Sequence, residues 1–216
     1  MVAIVWDAPG MKFWRAGVNA GVLYAPDGEV TKGFPWNGLV NVTENVSGGE
    51  LESYYYDGRK YMDVILTEDF QATIEAFSAP AEFAQCDGSR ELAIGLFVTG
   101  QPRIPFGLSY KNNIGNDLDG FDHGYELHLI WNCTVSPTEN VHSTINDQAE
   151  LSTMSWQINT APPISHAFKP TAHFVIDSTA SNPNLPTLLD MLYGTDETDP
   201  YLPSQQQVID TLEFSG

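Results

Sequence analysis

In the stretch FQATIEAF (70–77), Phe70, Ala72, Ile74 and Ala76 fall on one side of an extended chain, and Gln71, Thr73 and Glu75 on the other. That alternation is the mark of a half-buried antiparallel strand, because successive side chains of a strand leave opposite faces of its sheet. YELHLIW (125–131) repeats it, with Leu127 and Leu129 opposed to Glu126, His128 and Ile130. GVLYA (21–25), KYMDVILT (60–67), RIPFGLSY (103–110), MSWQINT (154–160) and AHFVID (172–177) read as further strands. PDG (26–28), SGG (47–49), DG (57–58) and NDLDG (116–120) separate them as turns. Strands recurring at such short intervals predict an antiparallel β-sandwich or barrel.

Helix is scarce. PAEFAQC (80–86) fits two turns, with Pro80 near the first position and Gly88 behind it. LPTLLDMLYG (185–194) fits a short helix with Leu188, Leu189 and Leu192 as its apolar stripe and Gly194 at its end. The polar, proline-broken stretch 195–216 reads as a C-terminal arm, and residues 1–14 as an N-terminal one. With no internal repeat and no linker, the 216 residues are expected to form a single domain.

Charge narrows the function. Twenty-eight acidic residues against nine basic ones give a formal net charge of −19. Such a surface repels phosphate, which argues against specific binding to DNA or RNA and against adhesion to anionic membranes. No stretch has the roughly 18 apolar residues of a membrane helix, and MVAIVWDAPGMKFW has no basic region ahead of an apolar run, unlike a signal peptide. Cys86 and Cys133 make no disulfide framework and no CxxC pair, so a reducing folding compartment is the simpler expectation.

The chemical motifs test negative. NNIGNDLDGFDHG (112–124) superficially resembles a calcium loop. Counted from Asp117, the fifth position is Phe121, the sixth Asp122 and the twelfth His128, where an EF-hand requires oxygen, glycine and glutamate. The same residues suit a hairpin connection at Asn116–Gly120. His123, His128, His142, His166 and His173 show neither HxH nor HxxxH spacing, so no metal site is expected. There is no GxSxG elbow and no glycine-rich phosphate loop. No cofactor and no catalytic residue is expected, and the chain is read as a non-enzyme.

Other features point to assembly. GLVNVTENVSGGELESYYYDGRKY (38–61) reads as a long polar loop between strands, and long loops in compact domains are usually functional or mobile. Of the tryptophans at 6, 14, 36, 131 and 156, Trp6 and Trp14 lie in the N-terminal arm, where aromatics often dock on a neighbour. Sheet edges need protection, and closing a ring of subunits supplies it.

YYYDGRKY, FQATIEAFSAPAEFAQCDG, TGQPRIPFGLSYKNNIGND, GYELHLIWNCTVSPTENVHSTIND and LPTLLDMLYG resemble, in order and spacing, the major tail proteins of long-tailed phages that infect actinobacteria. The resemblance runs from about Gly21 to Gly194. It departs from the family pattern at Lys111 and Asn112, where Arg and Thr usually follow the Ser-Tyr pair. It implies a tail-tube subunit: a β-sandwich of the tail-tube type with one or two short helices, six copies to a ring, and rings stacked into a tube in the virion tail. Implied partners are other copies of the chain, the tape measure protein that first fills the bore, and the tail terminator and distal tail proteins. Double-stranded DNA would pass through without being bound, and assembly would take place in the host cytoplasm.

The resemblance also implies which residues meet. The 41–52 segment would contact the next ring through Asn41, Glu44, Val46, Gly48, Glu50 and Glu52. Trp6, Trp14 and Tyr201 would anchor the arms, and Glu44, Glu50, Glu52, Asp63 and Glu75 are candidate lumen acids. Two other classes remain open. A carbohydrate-binding or adhesin-like sandwich would use exposed Trp and Tyr, and a hydrolase on a β scaffold lacks a visible nucleophile.

Overall fold

The computed structural model describes residues 4–28, 30–65, 68–137, 152–164 and 168–213. It is mainly β and wholly antiparallel in its strand pairing. The first strands are β1 (Phe13–Asp27), β2 (Val30–Pro35), β3 (Leu39–Gly48), β4 (Leu51–Tyr56), β5 (Arg59–Ile65) and β6 (Glu68–Ala76). After α1 (Ala84–Asp87) come β7 (Arg90–Ala93), β8 (Leu96–Val98), β9 (Phe106–Asn116), β10 (Gly120–Ser136), β11 (Met154–Thr160) and β12 (His173–Asp177). Helices α2 (Leu185–Tyr193) and α3 (Gln205–Leu212) follow.

The main sheet runs β2-β1-β9-β10-β11-β6-β3, with β12 also paired to β10. The long strand β10 makes it a sandwich. On one side β10 pairs with β9; on the other, Glu126–Ile130 pair with β12 and Cys133–Ser136 with β11. Between these stretches the register shifts, and Asn132 takes a left-handed φ of 52°. A bulge adds twist and bends the strand, so the end of β10 carries β11, β6 and β3 into a second layer. The sheet does not close into a barrel, because its two ends, β2 and β3, do not pair with each other.

The middle layer is apolar on both faces. From β1, Leu23 and Ala25 face the second layer, whereas Val22 and Tyr24 face the helices. From β10, Ile130, Cys133 and Val135 go one way and Leu127, Leu129 and Trp131 the other. Between the sheets, Phe83 meets Trp36, Phe106 and Trp156 at ring-centre distances of 4.7, 5.4 and 5.2 Å. Phe83 and Cys86 arrive on the short turn and α1 expected near 80–86, which plug one end of the sandwich.

Helix α2 forms where the leucine stripe predicts it, burying Leu188 and Leu192. Among the described residues three short α-helices form, one more than expected, because part of the expected C-terminal arm is α3. Ser204 and Gln207 form a reciprocal capping box there, and Val208 is buried. The rest of 195–213 lies on its own domain. Gly33 N donates to Pro200 O, Tyr201 N to Met191 O, and Trp131 Nε1 to Pro203 O. Gly107 lets this strap approach, since a Cβ there would sit 2.4 Å from Leu202 Cδ2.

The N-terminal arm is shorter than expected, because β1 begins at Phe13. The loop NNIGNDLDGFDHG is the β9–β10 hairpin. Asn116 Oδ1 accepts from the Leu118 and Asp119 amides, and Asp117 Oδ1 accepts from those of Gly10 and Lys12.

Candidate functional site

The segment expected as a loop over 41–52 is mostly strand. β3 continues to Gly48 and β4 starts at Leu51. Along β3, Val42 packs against the inter-sheet core while Asn41, Thr43 and Asn45 face outward. These three stand opposite Glu75, Thr73 and Gln71 of β6, which stand opposite Ser155, Gln157 and Asn159 of β11. Thr134 and Ser136 of β10 extend the face beyond Asn159 and Gln157. The result is a four-stranded outer face of amides and hydroxyls. Among the described residues its charged members are Glu75 and, opposite Ser47 near the start of β6, Asp69, and it carries no lysine or arginine. Among the described residues β3 borders the face as an edge strand, presenting backbone donors and acceptors of the kind that template pairing with another chain.

Two hairpins project without a third strand. β4 and β5 turn at Asp57-Gly58, both with positive φ (49° and 73°), as a tight two-residue hairpin turn requires. Leu51, Tyr55, Tyr56, Tyr61 and Ile65 are all exposed on it. The β7–β8 hairpin exposes Leu92, Ile94, Leu96 and Phe97. An isolated two-stranded hairpin is marginal in water, and apolar surface gathered this way marks an interaction site.

A third constellation lies inside the mouth between the two layers. Glu44 of β3 points inward, opposite to Asn41, Thr43 and Asn45, and its Oε1 is 2.8 Å from His128 Nδ1 and 3.6 Å from His173 Nε2. The Tyr110 hydroxyl donates to the same oxygen. The two histidine nitrogens are 3.1 Å apart. With ring centres 5.2 Å apart and planes 14° from parallel, the imidazoles lie nearly parallel. Tyr110 stacks on His128 at 4.6 Å, and Phe70 lies 4.4 Å from His173. Cross-strand register explains the gathering: His128 of β10 pairs with Tyr110 on β9, and His173 of β12 pairs with Ile130 on β10.

The electrostatics follow from this packing. Burial alone would raise the Glu44 carboxyl, but hydrogen bonds from His128 and Tyr110 and the nearby imidazoles bring it down to about 2. Burial lowers His173 to about 4 against the pull of Glu44. Burial, reinforced by the carboxylate, pushes the Tyr110 phenol upward. His128 Nε2 is buried without a partner.

The expected site residues therefore scatter. Asn41, Val46 and Gly48 sit on β3, Glu50 in the turn after it, and Glu52 and Asp63 on the projecting hairpin. Glu52 accepts from the Tyr54 hydroxyl, and Asp63 accepts from Ser53 and pairs with Lys60. Glu75 lies on the polar outer face, whereas Glu44 does not. Trp6 is exposed, but Trp14 packs over Gly115 and edge-on to Phe121 of its own chain. Tyr201 is held by its backbone against α2. His142 and His166 lie outside the described residues. No known protein-family model matches the chain, and no curated protein matches it.

Proposed function

We propose that the chain is a structural subunit that assembles with copies of itself into a hollow tube, the tail tube of a long-tailed phage through which double-stranded DNA passes. The observation that carries this reading is the outer face of β3, β6, β11 and the end of β10, flanked by the open edge of β3. Joined edge to edge in a ring, such faces line a bore with amides and hydroxyls, and each copy adds the carboxylates of Glu75 and Asp69. A wall without lysine or arginine has nothing to hold a phosphate backbone, and its acids repel it. The net charge of −19 acts in the same direction.

The two apolar hairpins and the N-terminal residues Ile4, Val5 and Trp6 supply contacts between copies. In this reading the β4–β5 hairpin, rather than a 41–52 loop, reaches the next ring. The family resemblance supports the same assignment, with the tape measure, tail terminator and distal tail proteins as further partners.

Electron microscopy of the concentrated protein tests it: hollow rings or tubes are expected. A protein that stays monomeric at high concentration overturns the proposal. If that monomer also binds on a glycan array, the exposed Tyr54, Tyr55 and Tyr56 become a sugar-stacking surface instead.

A further inference from the structure

We infer that Glu44, His128 and His173 form a binding site for one divalent late first-row transition ion, with zinc as its natural probe. The donor set is two imidazole nitrogens and one carboxylate oxygen, all within 4.8 Å of one another. Their separations are 2.8, 3.1 and 3.6 Å. Donors bound at the usual zinc distances of about 2.0–2.2 Å around a tetrahedral ion lie about 3.3 Å from each other. The three observed separations bracket that value, so small rotations of the imidazoles accommodate an ion.

Chemistry and charge agree with geometry. Nitrogen-rich sets with a single carboxylate suit zinc, cobalt and nickel better than calcium or magnesium, which want several oxygens. Glu44 has no lysine or arginine at ion-pair distance among the described residues; the side chains that meet its carboxylate are the two histidines and Tyr110. The Tyr110 hydroxyl orients the carboxylate from behind. His128 Nε2 has no partner among the described residues, so the ring proton can sit there, leaving the Nδ1 lone pair to an ion in place of the hydrogen bond to Glu44. A pocket lined by Val46, Glu68, Phe70, Lys169 and Thr171 reaches His173 at one side of the site.

The ion's work is structural. Glu44 belongs to an edge strand of one layer, while His128 and His173 belong to the other. A bound ion staples β3 across the mouth of the sandwich, where no strand pairing among the described residues joins the layers. The site stands whether or not the chain forms tubes, and it is tested on the unassembled protein.

The test is titration of chelator-stripped protein with zinc by calorimetry and with cobalt(II) by visible absorption. One equivalent is expected to bind, with cobalt bands of four- or five-coordinate intensity. Tm should rise by roughly 5 °C or more at a hundredfold excess over Kd. Glu44→Gln and His173→Gln should each weaken binding at least tenfold. A protein carrying His123→Gln, His142→Gln and His166→Gln should bind unchanged. Histidine ring resonances of the wild-type protein give a readout independent of variant folding, and zinc should shift those of two histidines only. Absence of saturable binding, a weak six-coordinate cobalt spectrum, or loss of binding in the triple variant overturns the inference.

Discussion

At the residue scale, the core rests on a few aromatic contacts and a few side chains that defy the surface pattern. Phe83 is fully buried among Trp36, Phe106 and Trp156. Phe83→Ala leaves a cavity bounded by rigid rings that cannot collapse into it, so a loss of about 3–5 kcal/mol in urea unfolding is expected. Cys86 and Cys133 are free and buried. Burial, with a smaller contribution from the Asp87 charge, pushes the Cys86 thiol up to about 12. Both thiols should resist a disulfide reagent at pH 8 in the native protein and react at once in denaturant. The Glu44, His128 and His173 cluster was not legible from spacing. His128 and His173 are 45 positions apart and Glu44 lies on a third strand, so only the sandwich brings them together. The one local hint is that His128 alternates with Leu127 and Leu129 on a strand whose other neighbour, Ile130, is apolar. That pattern marks a strand buried on both faces, where a histidine must find a partner.

At the scale of elements, alternation located most strands closely. β11 spans the expected 154–160, and β6, β10 and β12 form where period two appears. β3 was hidden by its own chemistry. Glu44 is an acid on the inward face, and Gly48-Gly49 follow shortly after, so VTENVSGG reads as loop although nine residues of β3, from Leu39 to Gly48, pair with β6. Helix α3 was hidden by low hydrophobicity, although Ser204 and Gln207 carry the S-x-x-Q signature of a helix start. The hairpin was legible as YYYDGRKY, but its exposure was not. Because Tyr56 and Ile65 touch little of their own chain, Tyr56→Ser with Ile65→Ser should leave unfolding stability within about 0.5 kcal/mol. The same pair should cut tube yield severely, measured by sedimentation of assembled material. Unchanged yield would remove the hairpin from the assembly surface.

At the scale of the whole molecule, the −19 charge sets copies against each other. Screening shortens that repulsion from a range of about 30 Å at 0.01 M salt to about 8 Å at 0.15 M. Raising salt should therefore lower the protein concentration at which tubes form, as followed by light scattering. Placing Asn41→Lys and Asn45→Lys together on the outer face should allow tubes to form but make DNA stick to them, detected as DNA retained by sedimented tubes. The most direct measurement is a cryo-EM map of the assembled particle. The account predicts an open bore walled by β3, β6, β11 and the end of β10, with Glu75 facing inward and the β3 edge hydrogen-bonded to a strand of the next copy. A solid centre, or a bore lined by lysine and arginine, would contradict it.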